Sequence, residues 1–356
     1  MEFRVDIDPA RMQALQERLF GDFSAAVTVP LCLLGERLGL YRALAERGPL
    51  TPAELASQTN TAERYAREWL QNQAAAGFVN YSKDDGRYCL PAESVAALVD
   101  ESSPHFMFGA FDIVGGMFTD LAKLERAFRS GEGVAWGDHD PALFRGTERF
   151  FRPAYQQYLV KQWIPALSRH VGEQLTAGGR IADVGCGHGA SSILLAQAFP
   201  NSTVVAFDPH APSIERARAA AAAAGAPANL KFESAGAADF RGREFDLVLT
   251  LDCLHDMGDP LGAARHILLA LRDNGSWMIV EPFAGDRPEE NHTPVGRAFY
   301  AASTMICVPA SLASNGPALG AQAGEARLRE IVTDAGFSRF QRVAETPFHL
   351  VFEARR

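Results

Sequence analysis

A glycine-rich segment, residues 183–190 (DVGCGHGA), is the first candidate for a functional site in this sequence. This segment follows an apolar run that predicts a strand and precedes a run that predicts a helix. Glycine lets the backbone turn sharply and lets a ligand approach it closely, as a nucleotide-binding loop requires. From Gly185 to Ala190 the segment also fits the dinucleotide pattern G-x-G-x-x-A, so the glycines alone leave the class of cofactor open.

Two carboxylates near this loop bear on the cofactor. Asp208, at the end of the next predicted strand, follows Gly185 by 23 residues. That position suits an acid that accepts the hydroxyls of a ribose in either class of cofactor. Asp183 separates the classes, because a carboxylate at this strand end would repel a pyrophosphate but favour a cationic ammonium. With Gly189 the pattern becomes D-x-G-x-G-x-G.

Over about residues 178–356, the chain resembles class I S-adenosylmethionine-dependent methyltransferases. The residues that carry this resemblance are 183–189 and Asp208. The resemblance implies S-adenosyl-L-methionine as cofactor and S-adenosyl-L-homocysteine as product. It assigns Asp183, Gly185 and Gly187 to the methionine portion and Asp208 to the ribose. The expected cofactor-binding set also includes Cys186, Pro209, Ala235, Gly236, Leu251 and Asp252.

The adenine contact is expected after the third strand of this half of the chain. Many members of the resembling family have an acid there, whereas this chain has Gly236. Either a backbone group near residues 235–237 takes the role, or Asp239 reaches the adenine.

A second candidate is the string Leu254-His255-Asp256-Met257, which follows the fourth predicted strand. Ligands of open α/β sheets bind beyond the carboxyl ends of the strands, so His255 is expected near the site. The string is similar to the Leu-His-Asp-Trp of winged-helix small-molecule O-methyltransferases, although Met257 replaces the tryptophan. In that family the histidine is the general base. The resemblance therefore implies that His255 removes the proton of a hydroxyl acceptor.

Glu281, at the end of the fifth predicted strand, is the candidate carboxylate that orients the imidazole. Asp256 is expected instead to cap the helix that begins near residue 259. The alternative for His255 is a strand-end histidine bonded to the backbone. His255 and His292 are too isolated to predict a metal site, and there is no acidic cluster typical of magnesium.

From residue 180 the predicted strands and helices alternate, which indicates an α/β fold. We expect a doubly wound, mostly parallel, seven-stranded Rossmann-like sheet with an antiparallel C-terminal hairpin. The strands are predicted at residues 180–184, 203–207, 230–233, 245–251, 276–280, 337–343 and 348–352. The methyltransferase domain is placed at residues 179–356, after a helical linker and cover region at 101–178. Aromatic residues in that region suggest an apolar or aromatic substrate, and its Gly-rich segment 130–137 suits a mobile cover.

Residues 1–100 predict a mainly α winged-helix domain, with helices at 25–45, after residue 51 and at 61–76, then a hairpin at 78–90. Thr51 and Thr61 are the expected helix caps, and Tyr65, Trp69 and Leu70 the apolar face of the last helix. Residues 22–100 carry 7 basic and 10 acidic side chains, a balance that disfavours DNA binding. In the resembling O-methyltransferases this domain builds a homodimer and helps to wall the substrate pocket, which the resemblance implies here.

The overall composition limits the partners further. The 356 residues include 34 basic and 43 acidic side chains, and this net charge of −9 argues against broad binding to nucleic acid or an anionic membrane. Five widely spaced cysteines without a CxxC pair favour a reducing, cytoplasmic location. The N-terminal stretch lacks the apolar core of a signal peptide, and the longest apolar run, residues 105–118, is too short to span a bilayer. We therefore expect a soluble protein whose partner is a small molecule.

Alternatives remain open at this point. An enzyme with the same fold and cofactor could catalyse a non-methylating reaction, because a fold does not determine function. A ligand-sensing winged-helix transcription regulator is disfavoured by the acidic balance of residues 22–100, and a dehydrogenase is disfavoured by Asp183. Oxygen is favoured over nitrogen or carbon as the methyl acceptor only by the presence of His255.

Overall fold

The structure, a computed structural model, describes residues 7–356, and these residues divide into two compact units. The first unit extends to Gly116 and includes Arg145–Phe150, and the second comprises Met117–Phe144 and Phe151–Arg356. The helices of the predicted cover region, residues 101–178, are shared between these units. The domain boundaries at residues 100 and 178 stay predictions.

The first unit consists of helices and one short hairpin. Its elements are α1 (Pro9–Arg37), α2 (Leu40–Arg47), α3 (Pro52–Thr59), α4 (Glu63–Ala75), β1 (Asn80–Ser82), β2 (Arg87–Cys89), α5 (Ala92–Leu98) and most of α6 (Gly109–Thr119). β1 and β2 pair in antiparallel fashion. This order confirms the predicted N-terminal winged-helix region.

Local sequence signals explain where α3 begins. Thr51 Oγ1 accepts a hydrogen bond from the Glu54 N–H at 3.3 Å, and the Glu54 carboxylate accepts one from the Thr51 N–H at 2.8 Å. Pro52 occupies the first turn, where its fixed φ suits the helix. The core that these helices enclose includes Tyr41, Leu44, Leu55, Trp69, Leu70 and Phe108.

Other predictions for this unit were wrong. The helix predicted at residues 25–45 is interrupted at Gly39, whose φ of 71° separates α1 from α2. Ala62, rather than Thr61, precedes α4, and the Thr61 hydroxyl lies 3.0 Å from that of Thr59. Tyr65 is 81% exposed. The buried face of α4 is centred further on, at Ala66, Trp69, Leu70 and Gln73.

A buried arginine stabilises the first unit. The Arg149 guanidinium contacts the carboxylates of Glu36, Glu101 and Asp112, and it lies 5.1 Å from the ring centroid of Phe106. Truncation of Arg149 would leave these carboxylates without their shared cation in a partly desolvated site.

We expect Arg149→Ala to lower the free energy of unfolding by about 3 kcal/mol or more. Arg64→Ala is the matched control, because Arg64 forms an exposed helical ion pair with Glu68 that is worth about 0.5 kcal/mol. Urea denaturation followed by circular dichroism measures both variants. Equal losses in the two variants would contradict the stabilising role of Arg149.

The second unit begins with helices and continues as alternating strands and helices. The first part forms α7 (Leu121–Ser130), a 3₁₀ turn (Trp136–Asp138), parts of α8 (Pro141–Ala154), a π-helical stretch (Tyr155–Trp163), α9 (Ile164–Ala166) and α10 (His170–Gly178). The remaining helices are α11 (Ala190–Ala198), α12 (Ala211–Ala223), α13 (Pro260–Ala270), α14 (Pro294–Ala302), α15 (Val308–Ala313) and α16 (Gly324–Asp334).

Within residues 7–356, the second unit contains a seven-stranded sheet in the order β5-β4-β3-β6-β7-β9-β8. Its strands are β3 (Arg180–Val184), β4 (Thr203–Asp208), β5 (Leu230–Ser234), β6 (Phe245–Leu251), β7 (Leu271–Pro282), β8 (Arg339–Glu345) and β9 (His349–Arg355). The strands from β5 to β7 are parallel, whereas β9 runs antiparallel to both β7 and β8. The predicted fold class is confirmed, and the strand order reverses between β3 and β6, where ligands of such sheets bind.

The boundaries of β7 and of the C-terminal hairpin differ most from the prediction, whereas β4 and β5 each end one residue later than predicted. β7 starts at Leu271 because its pairing with β6 shifts between Phe245 and Leu247, so that residues 272–275 bulge before Ser276 resumes the ladder. The C-terminal hairpin lies one to three residues later than predicted, because its turn is closed by a hydrogen bond from Thr346 N–H to His349 O.

Apolar side chains cover both faces of the sheet. Phe240, Trp277 and Phe352 belong to the core on one face, with residues of α13 and α16. Leu195, Leu249 and Val280 belong to the core on the other face, with residues of α10 and the π-helical stretch. This burial accounts for the continuous apolar sequence of the central strands. It also holds the carboxyl ends of β3, β4, β6 and β7 together at one edge.

In the part of the chain that the structure describes, one helix is long and apolar enough to cross a membrane. This helix is α1, with a mean hydropathy of 1.4 over its most apolar 18-residue window, of which 17% is buried. Residues 105–118 were predicted to be the longest apolar run, so the apolar character of α1 was missed. The reason is that apolar residues in α1 are interspersed with polar ones, and the exposed row on its surface emerges only from the helix geometry.

Candidate active site

The glycine-rich loop connects β3 to α11 at the carboxyl edge of the sheet. Gly187 has φ of 52°, and a Cβ at this position would meet no atom within 4 Å. Open space over a left-handed backbone residue leaves room for a ligand to approach the main chain. Gly185 has φ of 79°, and a Cβ there would lie 2.7 Å from Cys253 Sγ. A side chain is therefore excluded at Gly185 on two grounds.

Asp183 lies at the end of β3 and is buried. Its Oδ2 accepts hydrogen bonds from the hydroxyls of Ser191 and Ser192, both at 2.6 Å. Burial raises the pKa of the Asp183 carboxyl above its ordinary value, and the serine hydrogen bonds oppose that rise. The carboxylate thus joins the start of the loop to the first turn of α11, a role that sequence reasoning missed.

Asp208 closes the loop from β4. Its Oδ2 accepts a hydrogen bond from the Gly187 N–H at 2.9 Å, and its Oδ1 accepts one from the His210 N–H at 2.9 Å. Burial raises the pKa of Asp208, whereas these hydrogen bonds lower it. Each carboxylate oxygen keeps a second lone pair that could accept a ligand hydroxyl. Pro209 follows directly and begins the connection to α12.

The expected adenine segment follows β5. The Ala235 N–H donates to Asp208 O at 3.2 Å, and the Gly236 N–H donates to Asp239 Oδ1 at 2.8 Å. Asp239 is exposed, and its carboxylate binds the backbone of its own turn. This arrangement favours a backbone contact near residues 235–237 over a contact from Asp239.

Leu251 ends β6, and Asp252 follows in a left-handed conformation with φ of 52°. Asp252 Oδ2 accepts a hydrogen bond from the Tyr155 hydroxyl at 2.9 Å and lies 3.5 Å from His349 Nε2. Asp252 Oδ1 is buried and has no hydrogen-bond partner among the described residues. An unsatisfied buried carboxylate oxygen is costly, and a cationic ligand such as an ammonium would satisfy it.

His255 is buried between two side chains that hold its ring nitrogens. Its Nδ1 lies 2.6 Å from Glu281 Oε2, and its Nε2 lies 3.2 Å from Cys307 Sγ. Glu281 Oε1 in turn accepts a hydrogen bond from the Leu254 N–H at 3.0 Å. The partners of this histidine are therefore side chains, and Glu281 at the end of β7 is one of them.

Burial and neighbouring charges have opposite effects on the pKa of His255. Burial alone would lower the pKa of His255, but the charges of Glu281 and Cys307 outweigh it and raise that pKa well above its ordinary value. When the imidazole is neutral, an Nδ1–H bonded to the Glu281 carboxylate leaves Nε2 as the basic nitrogen. Cys307 was not a candidate in the sequence analysis, because it stands alone in the long connection between β7 and α16.

Asp256 has no capping role. The residue that caps α13 is Asp259, whose Oδ1 accepts the Gly262 N–H at 2.8 Å, so the prediction for Asp256 was wrong. Asp256 ends the 3₁₀ turn that contains His255. Burial raises its pKa to about 7, with a further contribution from the charges of Glu281 and Asp208, whereas His255 lowers it.

The Gly-rich cover segment is bound at both ends within the second unit. A Cβ at Gly133 would lie 2.0 Å from Pro309 O, and the Val134 N–H donates to Pro309 O at 3.1 Å. At the other end of the segment, a Cβ at Gly137 would lie 3.3 Å from the ring of His210, two residues after Asp208. The segment thus connects α15, which follows Cys307, to the ribose side of the candidate site.

Over residues 7–356, no group of three or more histidine, cysteine, aspartate or glutamate side chains could hold a metal ion. On α14, Tyr300 is exposed, whereas Phe299 is buried and its ring centroid lies 6.5 Å from that of Phe348.

Comparison with known proteins agrees with this arrangement. Residues 181–275 match a family described as methyltransferase domain, and residues 25–100 match the Rv2258c-like winged helix-turn-helix domain. These matches identify a methyltransferase domain at residues 181–275 and a winged-helix domain at residues 25–100, and the sheet topology is that of the class I methyltransferase fold.

Several solved structures are similar over nearly the whole chain. A Nostoc punctiforme protein described as an O-methyltransferase has a TM-score of 0.74 and 20% identity, covering 99% of this chain and 100% of that one. The mitomycin 7-O-methyltransferase MmcR has a TM-score of 0.70 and 20% identity, covering 98% and 100%. An O-methyltransferase from neocarzinostatin biosynthesis, in complex with S-adenosylmethionine and 2-hydroxy-5-methyl naphthoic acid, has a TM-score of 0.62 and 17% identity, covering 92% and 95%. At these identities the likeness establishes the fold.

Proposed function

We propose that this enzyme transfers a methyl group from S-adenosylmethionine to a hydroxyl of a small apolar or aromatic molecule, with His255 as the general base. The observation that carries the proposal is the orientation of His255. Its Nδ1 is held by Glu281, so the basic Nε2 is directed away from that carboxylate at the edge of the sheet that bears the glycine loop. Because Glu281 raises the pKa of His255, the ring accepts a hydroxyl proton at a pH above that raised pKa, where it is neutral.

The proposed cofactor site lies at the ends of β3, β4, β5 and β6. Asp208 would hold the ribose hydroxyls, and the unsatisfied Oδ1 of Asp252 suits the ammonium of the methionine portion. The complete proposed set is Asp183, Gly185, Cys186, Gly187, Asp208, Pro209, Ala235, Gly236, Leu251 and Asp252. When bound, S-adenosylmethionine supplies an electrophilic methyl group on a sulfonium and leaves as S-adenosylhomocysteine.

The chain's own residues do the remaining work. His255 Nε2 takes the hydroxyl proton as the acceptor oxygen becomes a better nucleophile, and Glu281 stabilises the imidazolium that results. Burial of the site excludes water and holds the reacting groups in position, which is the main contribution of the protein to a displacement of this kind. One of the similar structures is a mitomycin 7-O-methyltransferase, and another is an O-methyltransferase in complex with 2-hydroxy-5-methyl naphthoic acid. Both support a hydroxylated, apolar acceptor for this enzyme.

Calorimetric titration with S-adenosylmethionine, and separately with NAD, tests the cofactor. We expect binding of the first and none of the second. Incubation with S-adenosylmethionine and hydroxylated aromatic acids, including 2-hydroxy-5-methyl naphthoic acid, then tests the reaction. A product heavier by one CH₂ unit is expected, whereas consumption of cofactor with no methylated product would favour a non-methylating reaction.

We further propose that the enzyme is a homodimer that uses the exposed face of α1. Leu15, Leu19, Phe23 and Val27 follow one another at intervals of four residues, which aligns them on one face, and all are exposed. The resemblance to winged-helix O-methyltransferases, whose N-terminal domain builds a homodimer, supports a second copy as the occupant of this face. The face continues into residues 25–100, which match a winged-helix domain. Among residues 7–356 all five cysteines are free, which supports a reducing, cytoplasmic location.

We expect Phe23→Asp to convert the dimer into a monomer, because a carboxylate in an apolar interface is costly. Phe23 is 60% exposed in a single chain, and Phe128→Asp on α7 is the matched control, since Phe128 is 74% exposed. Sedimentation equilibrium measures the mass of both variants. A monomeric parent protein that binds vesicles of mixed anionic and neutral phospholipids would indicate a membrane rather than a second copy on this face.

A further inference from the structure

Cys307, His255 and Glu281 form a continuous line of hydrogen-bonded side chains. Cys307 Sγ lies 3.2 Å from His255 Nε2, and His255 Nδ1 lies 2.6 Å from Glu281 Oε2. A thiol next to an imidazole that is oriented by a third group is the arrangement of an activated nucleophile. The proposed O-methylation uses the imidazole of His255 and the carboxylate of Glu281, and the Cys307 thiol has no role in it.

The fold holds Cys307 in this position. Cys307 is the last residue of a π-helical turn, Ser303–Cys307, and α15 continues directly from it. The cover segment fixes α15 in turn, through the hydrogen bond from Val134 N–H to Pro309 O at 3.1 Å. Single π-turns occur frequently at functional sites.

The other cysteines have different surroundings. The thiols of Cys32, Cys186 and Cys253 donate to neutral oxygens, namely the side-chain amide of Gln73 and the backbone carbonyls of Gly187 and Val184. Burial raises the pKa of each of these three thiols. Cys89 lies half-buried on β2 in the first unit. Among the cysteines of residues 7–356, Cys307 thus differs in that its thiol contacts a base, the imidazole of His255.

We infer that Cys307 is the nucleophilic thiol of this protein and that the site forms covalent adducts with soft carbon electrophiles of the α,β-unsaturated carbonyl class. Cys307 Sγ adds to the β-carbon while its proton passes to His255 Nε2. The electrons of the carbon–carbon double bond move to the carbonyl oxygen, and the resulting enolate takes the proton back from His255. The adduct needs no oxidant and no further reactant.

The chemistry of the site favours this class of ligand. Cys307 is 8% exposed and His255 is buried, so an uncharged molecule enters at a lower desolvation cost than an anion. The inference rests on the proposed function in one respect, namely that a small apolar molecule reaches Nε2 of His255. An adduct on Cys307 would lie next to Nε2 of His255. One bound electrophile per chain would therefore also block the proposed general base.

N-ethylmaleimide, an α,β-unsaturated imide, is the probe, and it is added in limiting amount to the native full-length protein. Intact mass and peptide mapping then follow the parent protein, Cys307→Ser, His255→Asn and the matched control Cys89→Ser. We expect the first adduct of the parent protein to form on Cys307. This adduct should be absent in Cys307→Ser and should form at the parent rate in Cys89→Ser. In His255→Asn it should form at least about tenfold more slowly. Circular dichroism establishes that each variant is folded, and Glu281→Gln replaces His255→Asn if the latter is not.

A first adduct on any other cysteine, or no adduct on native protein, would overturn the inference. So would an unchanged rate in the folded base variant. The labelling needs neither cofactor nor methyl transfer. Failure of the proposed function would appear instead as a lack of S-adenosylmethionine binding or of methylated product in the unlabelled parent protein, so that the two failures are distinguishable.

Discussion

Replacement of His255 by alanine is expected to lower the rate of methyl transfer by about a hundredfold or more. The loss follows because no other described group holds a basic nitrogen at this position between Glu281 and Cys307. S-adenosylmethionine affinity should change little, since the proposed cofactor contacts lie on the glycine loop and on Asp208. Steady-state rates measure the first effect and calorimetry the second.

His170→Ala is the matched control, because His170 Nε2 contacts the backbone carbonyl of Asn274 near the amino end of β7, away from the carboxyl edge that bears the loop. It should retain the parent rate. Equal rates in His255→Ala and the parent enzyme would show that the acceptor loses its proton to another group. In that case Asp256 would be the next candidate, since its carboxyl has a pKa of about 7.

The pH profile provides a second readout for His255. The base must be neutral to accept a proton, so activity is lost as the pH falls through the pKa of His255. Glu281 raises that pKa, and Glu281→Gln therefore lowers it. The acidic limb of the kcat/KM profile should move to lower pH in Glu281→Gln, while the maximal rate falls because the ring is less firmly oriented.

Asp208→Ala is expected to weaken S-adenosylmethionine binding by about 10- to 100-fold, the range of a hydrogen bond to a charged group of 1.5–3 kcal/mol. The carboxylate has two effects on the proposed site. It would accept ribose hydroxyls, and it already binds the N–H groups of Gly187 and His210, which define the loop. Both effects disappear with the side chain.

Asp208→Asn should weaken S-adenosylmethionine binding to a similar extent, although asparagine is nearly isosteric with aspartate. Both carboxylate oxygens accept backbone N–H groups, so the amide nitrogen of asparagine would face one of these donors. Glu215→Ala on α12 is the control, because Glu215 is exposed and its loss removes the same charge elsewhere. Calorimetry on folded variants measures all dissociation constants. An unchanged value in Asp208→Ala would mean that the ribose lies elsewhere.

The parts of the site that could be predicted from sequence are local or follow from topology. Asp183 and the glycines are consecutive, and Asp208 ends the next strand. Glu281 could be paired with His255 because both follow neighbouring parallel strands, whose carboxyl ends meet at one edge. The alternation of strands and helices predicted the mostly parallel, seven-stranded sheet with its antiparallel C-terminal hairpin.

Other features depend on packing that no local pattern contains. Cys307 lies 52 residues after His255 in sequence, and its contact requires the particular path of α14 and α15. No local sequence pattern predicted either the left-handed conformation of Asp252 or the lack of a partner for its Oδ1 among the described residues. The cap of α4 was misplaced because Thr61 bonds to Thr59 instead, a local competition between hydroxyl partners.

The contact of Gly133 with Pro309 has a consequence for attempts to redesign the acceptor range of this enzyme. A side chain at residue 133 would overlap the backbone of α15, with Ala313 N only 2.1 Å from the first carbon. Glu132, by contrast, is exposed, and its neighbour Gly131 ends α7. A combinatorial library should therefore keep glycine at position 133 as a fixed anchor and vary the segment on its solvent side.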